Sequence, residues 1–143
     1  MLPIRESKST RGKAAKKEDL AFEVEFFEGI TQRDPDFVEA LQVLGDAYTR
    51  MGQWEKGLEI DRQLAKLCPD NPLVFYNLAC SYSLLKRVDE AFAALTEAVK
   101  HGYDDARWLN KDPDLDNLRQ DNRFEKIRTC LRQKPDSSTQ TAD

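Results

Sequence analysis

The stretch NPLVFYNLACSYSLLKRVDEA, residues 71–91, decides the fold because it holds two runs of helical pattern with a break between them. Asn71 before Pro72 predicts a helix start, since asparagine caps helix N-termini and proline is tolerated in the first turn. Lys86 and Arg87 fall where a short turn should join two antiparallel helices. The stretch therefore predicts a helical hairpin. Its apolar and small residues recur at helical spacing, at Phe75, Leu78, Ala79, Tyr82, Leu85, Val88 and Ala91.

The same pattern occurs once before in the chain, at an offset of 34 residues. Laying residues 38–71 over residues 72–105 matches the size classes of the apolar positions, and Pro35 and Pro69 keep the same offset. A fixed period of this length predicts a repeat protein. We call these ranges the first unit and the second unit. The matched pairs are Leu41 with Phe75, Leu44 with Leu78, Gly45 with Ala79, Tyr48 with Tyr82, Trp54 with Val88, Gly57 with Ala91, Leu58 with Phe92 and Leu64 with Ala98.

The matched residues resemble the tetratricopeptide repeat family. Leu41-x-x-Leu44-Gly45-x-x-Tyr48 and Phe75-x-x-Leu78-Ala79-x-x-Tyr82 are similar to the family's first-helix pattern, and Ala91-x-x-x-Leu95-x-x-Ala98 is similar to its second-helix pattern. Gly57, Asp61 and Tyr103 depart from it. The resemblance covers roughly residues 20–131 and implies an all-α fold, a short right-handed superhelix of antiparallel helix pairs with about seven helices.

The resemblance also implies a domain organisation. Phe22, Phe26, Phe27 and Ile30 resemble the second half of a missing unit, and Asp36 with Glu39 has capping-box spacing at the start of the first unit. The sequence from Asp112 onward resembles the closing element of bacterial repeat arrays, with a last helix from about Asn122 to Arg132. The expected parts are a disordered basic tail (1–17), a repeat domain (18–133) with a half-repeat helix (18–34), the two units and closing helices (106–133), and a disordered tail (134–143).

The charge pattern limits the partners. Residues 1–18 carry a net charge of +4, residues 19–118 carry −10, residues 119–134 carry +4 and the last residues carry −2, which sums to the −4 of the chain. An acidic body argues against a nucleic-acid partner for the folded part. Three cysteines without CxxC spacing favour a reducing compartment, and with no secretory signal or membrane span in the sequence we expect a cytoplasmic protein. No pattern indicates an oligomeric state.

Chemistry-bearing motifs are few. His101 is the single histidine, and its position at a predicted helix end favours a structural role near the helix dipole. No glycine-rich phosphate loop occurs. Asp112, Asp114 and Asp116 superficially resemble an EF-hand loop, but Pro113 intrudes and the required glycine is missing, so capping and solvation explain them better. We therefore expect no enzyme activity, cofactor, metal or small-molecule substrate.

The resemblance implies a function in protein interaction, with a peptide or partner helix bound in a concave groove lined by the first helix of each unit. Two other functions stay open: a secretion-type or assembly chaperone, and an adaptor whose basic N-terminal arm contacts nucleic acid. The implied groove positions are Glu39, Gln42, Asp46, Thr49, Arg50, Leu73, Tyr76, Asn77, Cys80, Ser83, Arg107 and Lys111.

Some members of this family hold a partner's C-terminal carboxylates in a clamp of basic and amide side chains. The resemblance places that clamp at Gln42, Asp46, Asn77, Arg107 and Lys111. The first two do not suit an anion, because Gln42 is neutral and Asp46 would repel it. The expectation is therefore a site for a single carboxylate near Asn77 and Arg107, with charge-assisted hydrogen bonds from the arginine.

Overall fold

The computed structural model describes residues 17–133, and within this range every regular element is helical. The predicted tails fall outside the described residues, except that Lys17 begins the first helix. The helices are α1 (Lys17–Arg33), α2 (Val38–Arg50), α3 (Trp54–Leu67), α4 (Pro72–Leu84), α5 (Val88–Lys100), α6 (Ala106–Lys111), a 3-10 helix (Pro113–Leu118) and α7 (Asn122–Gln133).

The helix ends follow local chemistry. The Asn71 side chain accepts hydrogen bonds from the backbone N–H groups of Leu73 and Val74, at 2.9 and 3.3 Å, as the sequence predicts for an N-cap. The turn after α2 has Gly52 at φ +77°, and the matched turn after α4 has Lys86 at φ +61°. The capping box predicted at Asp36 is wrong, because Phe37 stands at the N-cap of α2 and makes no side-chain cap bond.

From α1 to α5, each helix packs against the next one along the chain. α1 contacts α2, α2 contacts α3, α3 contacts α4 and α4 contacts α5; the 3-10 helix then lies on α4, and α7 contacts α5 and α6. The first unit is thus the α2–α3 pair and the second unit the α4–α5 pair. This succession of short stacked helix pairs confirms the predicted all-α, solenoid-type fold.

The two residues of α3 that depart from the family pattern both have a packing reason. A Cβ atom at Gly57 would lie 2.9 Å from Thr49 Oγ1 and 3.6 Å from the Gly45 carbonyl oxygen, so α2 and α3 approach closely where these glycines face each other. Asp61 is buried and accepts a hydrogen bond of 2.5 Å from Ser81 Oγ on α4. A buried carboxylate needs such a partner, and here the next unit supplies one.

The core is continuous from α3 to α7. One cluster of buried side chains includes Leu58 of α3, Phe92 of α5 and Phe124 of α7. Residues 106–133, the closing segment, contribute Leu109, Leu115, Leu118, Ile127 and Leu131 to the same cluster. A smaller cluster joins α1 to the first unit through Val24, Leu44, Ala47 and Tyr48. The apolar face of the second unit is therefore covered by the closing segment.

Candidate binding groove

The groove expected from the sequence would be lined by α2, α4 and α6, which carry the predicted residues. The predicted side chains differ widely in exposure. Glu39, Arg107 and Lys111 are exposed; Gln42, Arg50 and Leu73 are half-buried; Asp46, Thr49, Tyr76, Asn77, Cys80 and Ser83 are buried. In this conformation a ligand can touch only the exposed and half-buried side chains. The buried side chains could affect binding only through the packing of the helices that carry them.

Two charged groups of α2, Asp46 and Arg50, pair with each other. Arg50 Nε lies 3.0 Å from Asp46 Oδ2, and Arg50 Nη2 lies 2.9 Å from Glu23 Oε1 on α1. Because Asp46 is buried beside this guanidinium, its charge is compensated inside the protein rather than presented to a ligand. The expectation that Asp46 would repel an anion therefore applies at most weakly, and Glu39 and Gln42 are left as the accessible groups of α2.

The predicted positions on α4 are covered by the closing segment. Tyr76 donates a hydrogen bond of 2.6 Å to Asp112 Oδ2, and Cys80 Sγ lies 3.8 Å from the same oxygen. At the other end of α4, Asn117 Nδ2 donates to the Ser83 carbonyl oxygen at 2.8 Å. The sequence expected these side chains to line an open surface, whereas the structure buries them under residues of the same chain.

Asp112 anchors this cover. Its side chain is 0% exposed, and its Oδ1 accepts the backbone N–H of Asp114 at 2.9 Å, which caps the 3-10 helix. Arg119 Nη2 donates to the Asp112 carbonyl oxygen at 2.5 Å. The sequence correctly indicated a cap here. It also predicted that the three carboxylates are solvated, which is wrong for Asp112 and Asp114 because both are buried, whereas Asp116 is exposed. The pairing of Asp112 with Tyr76 had no signal in the sequence.

Two stacked tyrosines lie beside the Asp112 carboxylate. The rings of Tyr76 and Tyr103 are 4.4 Å apart between centroids and nearly parallel. Burial is the main cause that raises the pKa of both phenols far above the ordinary value, and for Tyr76 the neighbouring Cys80, Tyr103 and Asp112 groups raise it further. The Tyr76 hydroxyl therefore stays protonated and serves as a permanent donor to Asp112. This cluster holds the closing segment in place.

The cations predicted on α6 are placed differently. Arg107 and Lys111 are exposed, and neither forms an ion pair with another residue in the described part of the chain. Their i, i+4 spacing puts them on one side of the helix. Lys111 Nζ lies 5.8 Å from the centroid of the Trp108 ring, a cation–π distance. Both side chains are therefore accessible from solvent, and neither is held in an ion pair with a described residue.

His101 has the structural role expected from the sequence. It stands at the C-cap of α5, its Nε2 lies 3.3 Å from Glu97 Oε2, and its ring stacks on Phe75 with centroids 5.4 Å apart. Across residues 17–133, no cluster of three or more histidine, cysteine or acidic side chains has a geometry that could hold a metal ion. None of the described helices combines the length and apolar character needed to cross a bilayer.

Comparison with known proteins identifies the repeat. Residues 38–79 match the family model described as tetratricopeptide repeat. This range holds the first unit and the first residues of α4, up to Ala79.

A curated relative is also similar over most of the chain. This relative, a chloroplastic protein from Arabidopsis thaliana, is 36% identical over 99 residues, which is 67% of this chain and 28% of the relative. The chain thus spans less than a third of that protein's length.

Proposed function

This chain carries tetratricopeptide repeats, and we propose that it is an interaction module that binds a segment of a partner protein along α2, α4 and α6. Repeats of this family generally mediate protein–protein interaction and are typically non-catalytic. Two buried side-chain hydrogen bonds support this proposal, since Tyr76 with Asp112 and Ser81 with Asp61 each join different parts of the chain rather than converging on one reacting centre.

The observation that carries the proposal is the pair of accessible cations on α6. Arg107 and Lys111 present two positive charges on one helix side, next to a body that is otherwise acidic. A carboxylate of the partner, at its C-terminus or on an acidic side chain, suits such a pair because arginine and lysine form charge-assisted hydrogen bonds with it. Asn77, expected from the sequence to take part, is buried and would contribute only through the packing of α4.

The rest of the contact would come from the accessible positions of α2 and α4. Glu39 and Gln42 offer polar groups, and the half-buried Leu73 offers a small apolar contact. Such a surface fits an extended polar segment with one anionic group. A chaperone that holds an apolar segment would need a larger apolar groove, and Tyr76 and Cys80, which could have formed one, are covered by the closing segment.

Calorimetric titration tests the proposal. A peptide with an acidic residue near a free C-terminal carboxylate, and the same peptide amidated, are titrated into the full chain. Arg107→Ala should weaken the carboxylate form about tenfold or more, since a hydrogen bond to a charged group contributes about 1.5–3 kcal/mol. Lys100→Ala is the matched control, because Lys100 is an exposed cation at the end of α5 and should not matter.

Two results would contradict the carboxylate site. Equal affinity for the free and the amidated peptide would show that no carboxylate is recognised. Equal losses in Arg107→Ala and Lys100→Ala would show that the peptide responds to overall charge rather than to α6.

We also propose a reducing compartment for this chain. Within the described residues Cys68, Cys80 and Cys130 form no disulfide, and Cys130 is exposed. The cytoplasm remains the compartment predicted from the sequence, and the chloroplast named for the relative is an alternative that is compatible with free thiols.

A further inference from the structure

The outer face of α1 carries two exposed aromatic side chains. Phe22 is 71% exposed and Phe26 is 54% exposed, and their ring centroids lie 6.3 Å apart in a stacked arrangement. Leu20 and Val24, on the opposite face of the helix, are buried, and α1 packs on α2. The Phe22–Phe26 pair therefore points away from the body and offers an apolar surface to another molecule.

Acidic side chains surround this pair. Glu18 lies one helical turn before Phe22 and Glu25 lies one turn after it, so both share a side of α1 with that ring. Both carboxylates and Asp19 are exposed, and none forms an ion pair with another described residue. Over its whole length α1 carries five acidic and two basic residues, a net charge of −3. A matching surface must therefore combine apolar contact with positive charge, and two copies of this face would repel each other.

The outer face of α7 has the opposite charge. Five side chains at helical spacing line a shallow depression there, whose surface is mostly apolar: Asn122, Glu125, Lys126, Thr129 and Cys130. Lys126 is exposed and forms no ion pair with another described residue. The helix carries four basic residues and one acidic residue, a net charge of +3. This chain thus carries, on its own last helix, a surface that suits the aromatic pair of α1.

The two surfaces lie at different ends of the stack of helices. α1 packs on the first unit, whereas α7 packs on α5 and α6. A contact between the two faces therefore needs two molecules. Such a contact is heterologous, because one surface of each copy meets a different surface of the next copy.

We propose that this chain associates head to tail with a second copy, with the outer face of α1 in one copy against the outer face of α7 in the next. The rings of Phe22 and Phe26 cover the apolar depression on α7, and Glu25 faces Lys126. The opposite net charges of the two helices favour this pairing over α1 with α1 or α7 with α7. Because one helix meets one helix, the interface is small and the association is weak. Each copy keeps a free end, so the contact produces open chains rather than closed dimers.

Analytical ultracentrifugation of the full chain, from micromolar to millimolar concentration, tests the proposal. Reducing buffer is needed because Cys130 is exposed on the α7 face. The average mass of the wild type should rise with concentration and pass that of a dimer. Phe22→Ala/Phe26→Ala removes the apolar contact of α1, and Lys126→Glu reverses the charge on α7. Each variant should weaken the association about tenfold or more.

Mixing the two variants is the sharper experiment, because each keeps one of the two surfaces. The α1 variant retains its α7 face, and the α7 variant retains its α1 face. At a concentration where each alone is monomeric, the equimolar mixture should form a one-to-one dimer that does not grow. The matched controls are Phe37→Ala, which removes an exposed aromatic ring before α2, and Lys66→Glu, which reverses an exposed charge on α3. Both controls should associate as the wild type does.

Three results would overturn the proposal. The first is a wild-type chain that stays monomeric at millimolar concentration, and the second is a mixture of the two variants that forms no dimer. The third is a wild-type mass that stops at the dimer, since a symmetric contact would then replace the head-to-tail one. None of these results depends on Arg107 or Lys111, so the test is independent of the carboxylate site on α6.

Discussion

The two full units share one backbone plan and differ in what they bury. The first unit buries Asp46 and Asp61, while the matched positions of the second unit hold Cys80 and Leu95. Asp61 bonds to Ser81 of the next unit, so its charge is satisfied across the boundary between units. The 34-residue period therefore specifies helix contacts and side-chain size, whereas the polarity of a matched position is set by the neighbour that lies opposite.

The covering of the two units differs as well. α2 is covered by α1 and uses Arg50 to join the carboxylates of Asp46 and Glu23. α4 is covered by the closing segment, which anchors on Tyr76 through Asp112. The first unit is thus joined to α1 by a partly exposed ion pair, and the second unit is joined to the closing segment by a buried hydrogen bond.

The largest effect is expected where the cover of the second unit is broken. Asp112→Ala leaves the buried Tyr76 hydroxyl without its acceptor and removes the cap of the 3-10 helix, so it should destabilise the protein by about 3 kcal/mol. Chemical denaturation measures this loss. Asp116→Ala is the matched control in the same segment, because Asp116 is exposed and pairs with Arg119 at the surface, at 3.0 Å. Equal midpoints for the two variants would show that Asp112 does not anchor the closing segment.

An intermediate effect is expected where the first unit is made to resemble the second. Asp61→Leu introduces the residue of matched position 95 and leaves Ser81 without this acceptor, at a cost of about 2 kcal/mol. Adding Ser81→Ala copies Ala47, the residue 34 positions earlier, and should recover most of the loss. Thermal melts of the single and double variants decide this point. If the double variant is no more stable than Asp61→Leu, the loss in the single variant does not come from the broken Ser81–Asp61 hydrogen bond.

The smallest effect concerns the helix contact inside the first unit. Gly57→Ala copies Ala91 but brings a Cβ to 2.9 Å from Thr49 Oγ1. Overpacking costs about 1–3 kcal/mol and the better helix propensity of alanine returns about 1, so a net loss of about 1 kcal/mol is expected.

Two further variants are the controls for Gly57→Ala. Gly29→Ala should stabilise the protein, since no atom lies within 4 Å of that Cβ and only helix propensity changes. Thr49→Ala should reduce the harm of Gly57→Ala in the double variant. If Gly57→Ala melts above wild type, the α2–α3 contact is looser than described.

Much of the fold could be predicted from the sequence because it depends on local chemistry and on a period. The Asn71-Pro72 start of α4 follows from the side chain's ability to accept two backbone hydrogen bonds. The capping box at Asp36 failed because spacing alone does not decide which residue enters the helix, and Phe37 took the N-cap. The left-handed backbone at Lys86 shows that the turn geometry is shared between units even where glycine is not used.

The candidate site was harder to predict because helical phase and burial are different properties. The phase of α4 correctly places Tyr76 and Cys80 on one face, but it does not show what lies on that face. Their cover depends on Asp112, a residue 36 positions away from Tyr76, whose sequence context indicates only a cap. The prediction that Arg107 and Lys111 bind a ligand agrees with their exposure and still depends on the titration.

The contact between Tyr76 and Asp112 also imposes an order on synthesis. A chain growing from its N-terminus completes α2 and α3 with α1 already made, so the first unit can form as it emerges. α4 is finished long before its anchor, because 36 further residues separate Tyr76 from Asp112. At a translation rate of about 5–20 residues per second, the face of α4 that carries Tyr76 stays uncovered for roughly 2–7 s. The newborn second unit is therefore the part of this protein that most needs protection from aggregation during translation.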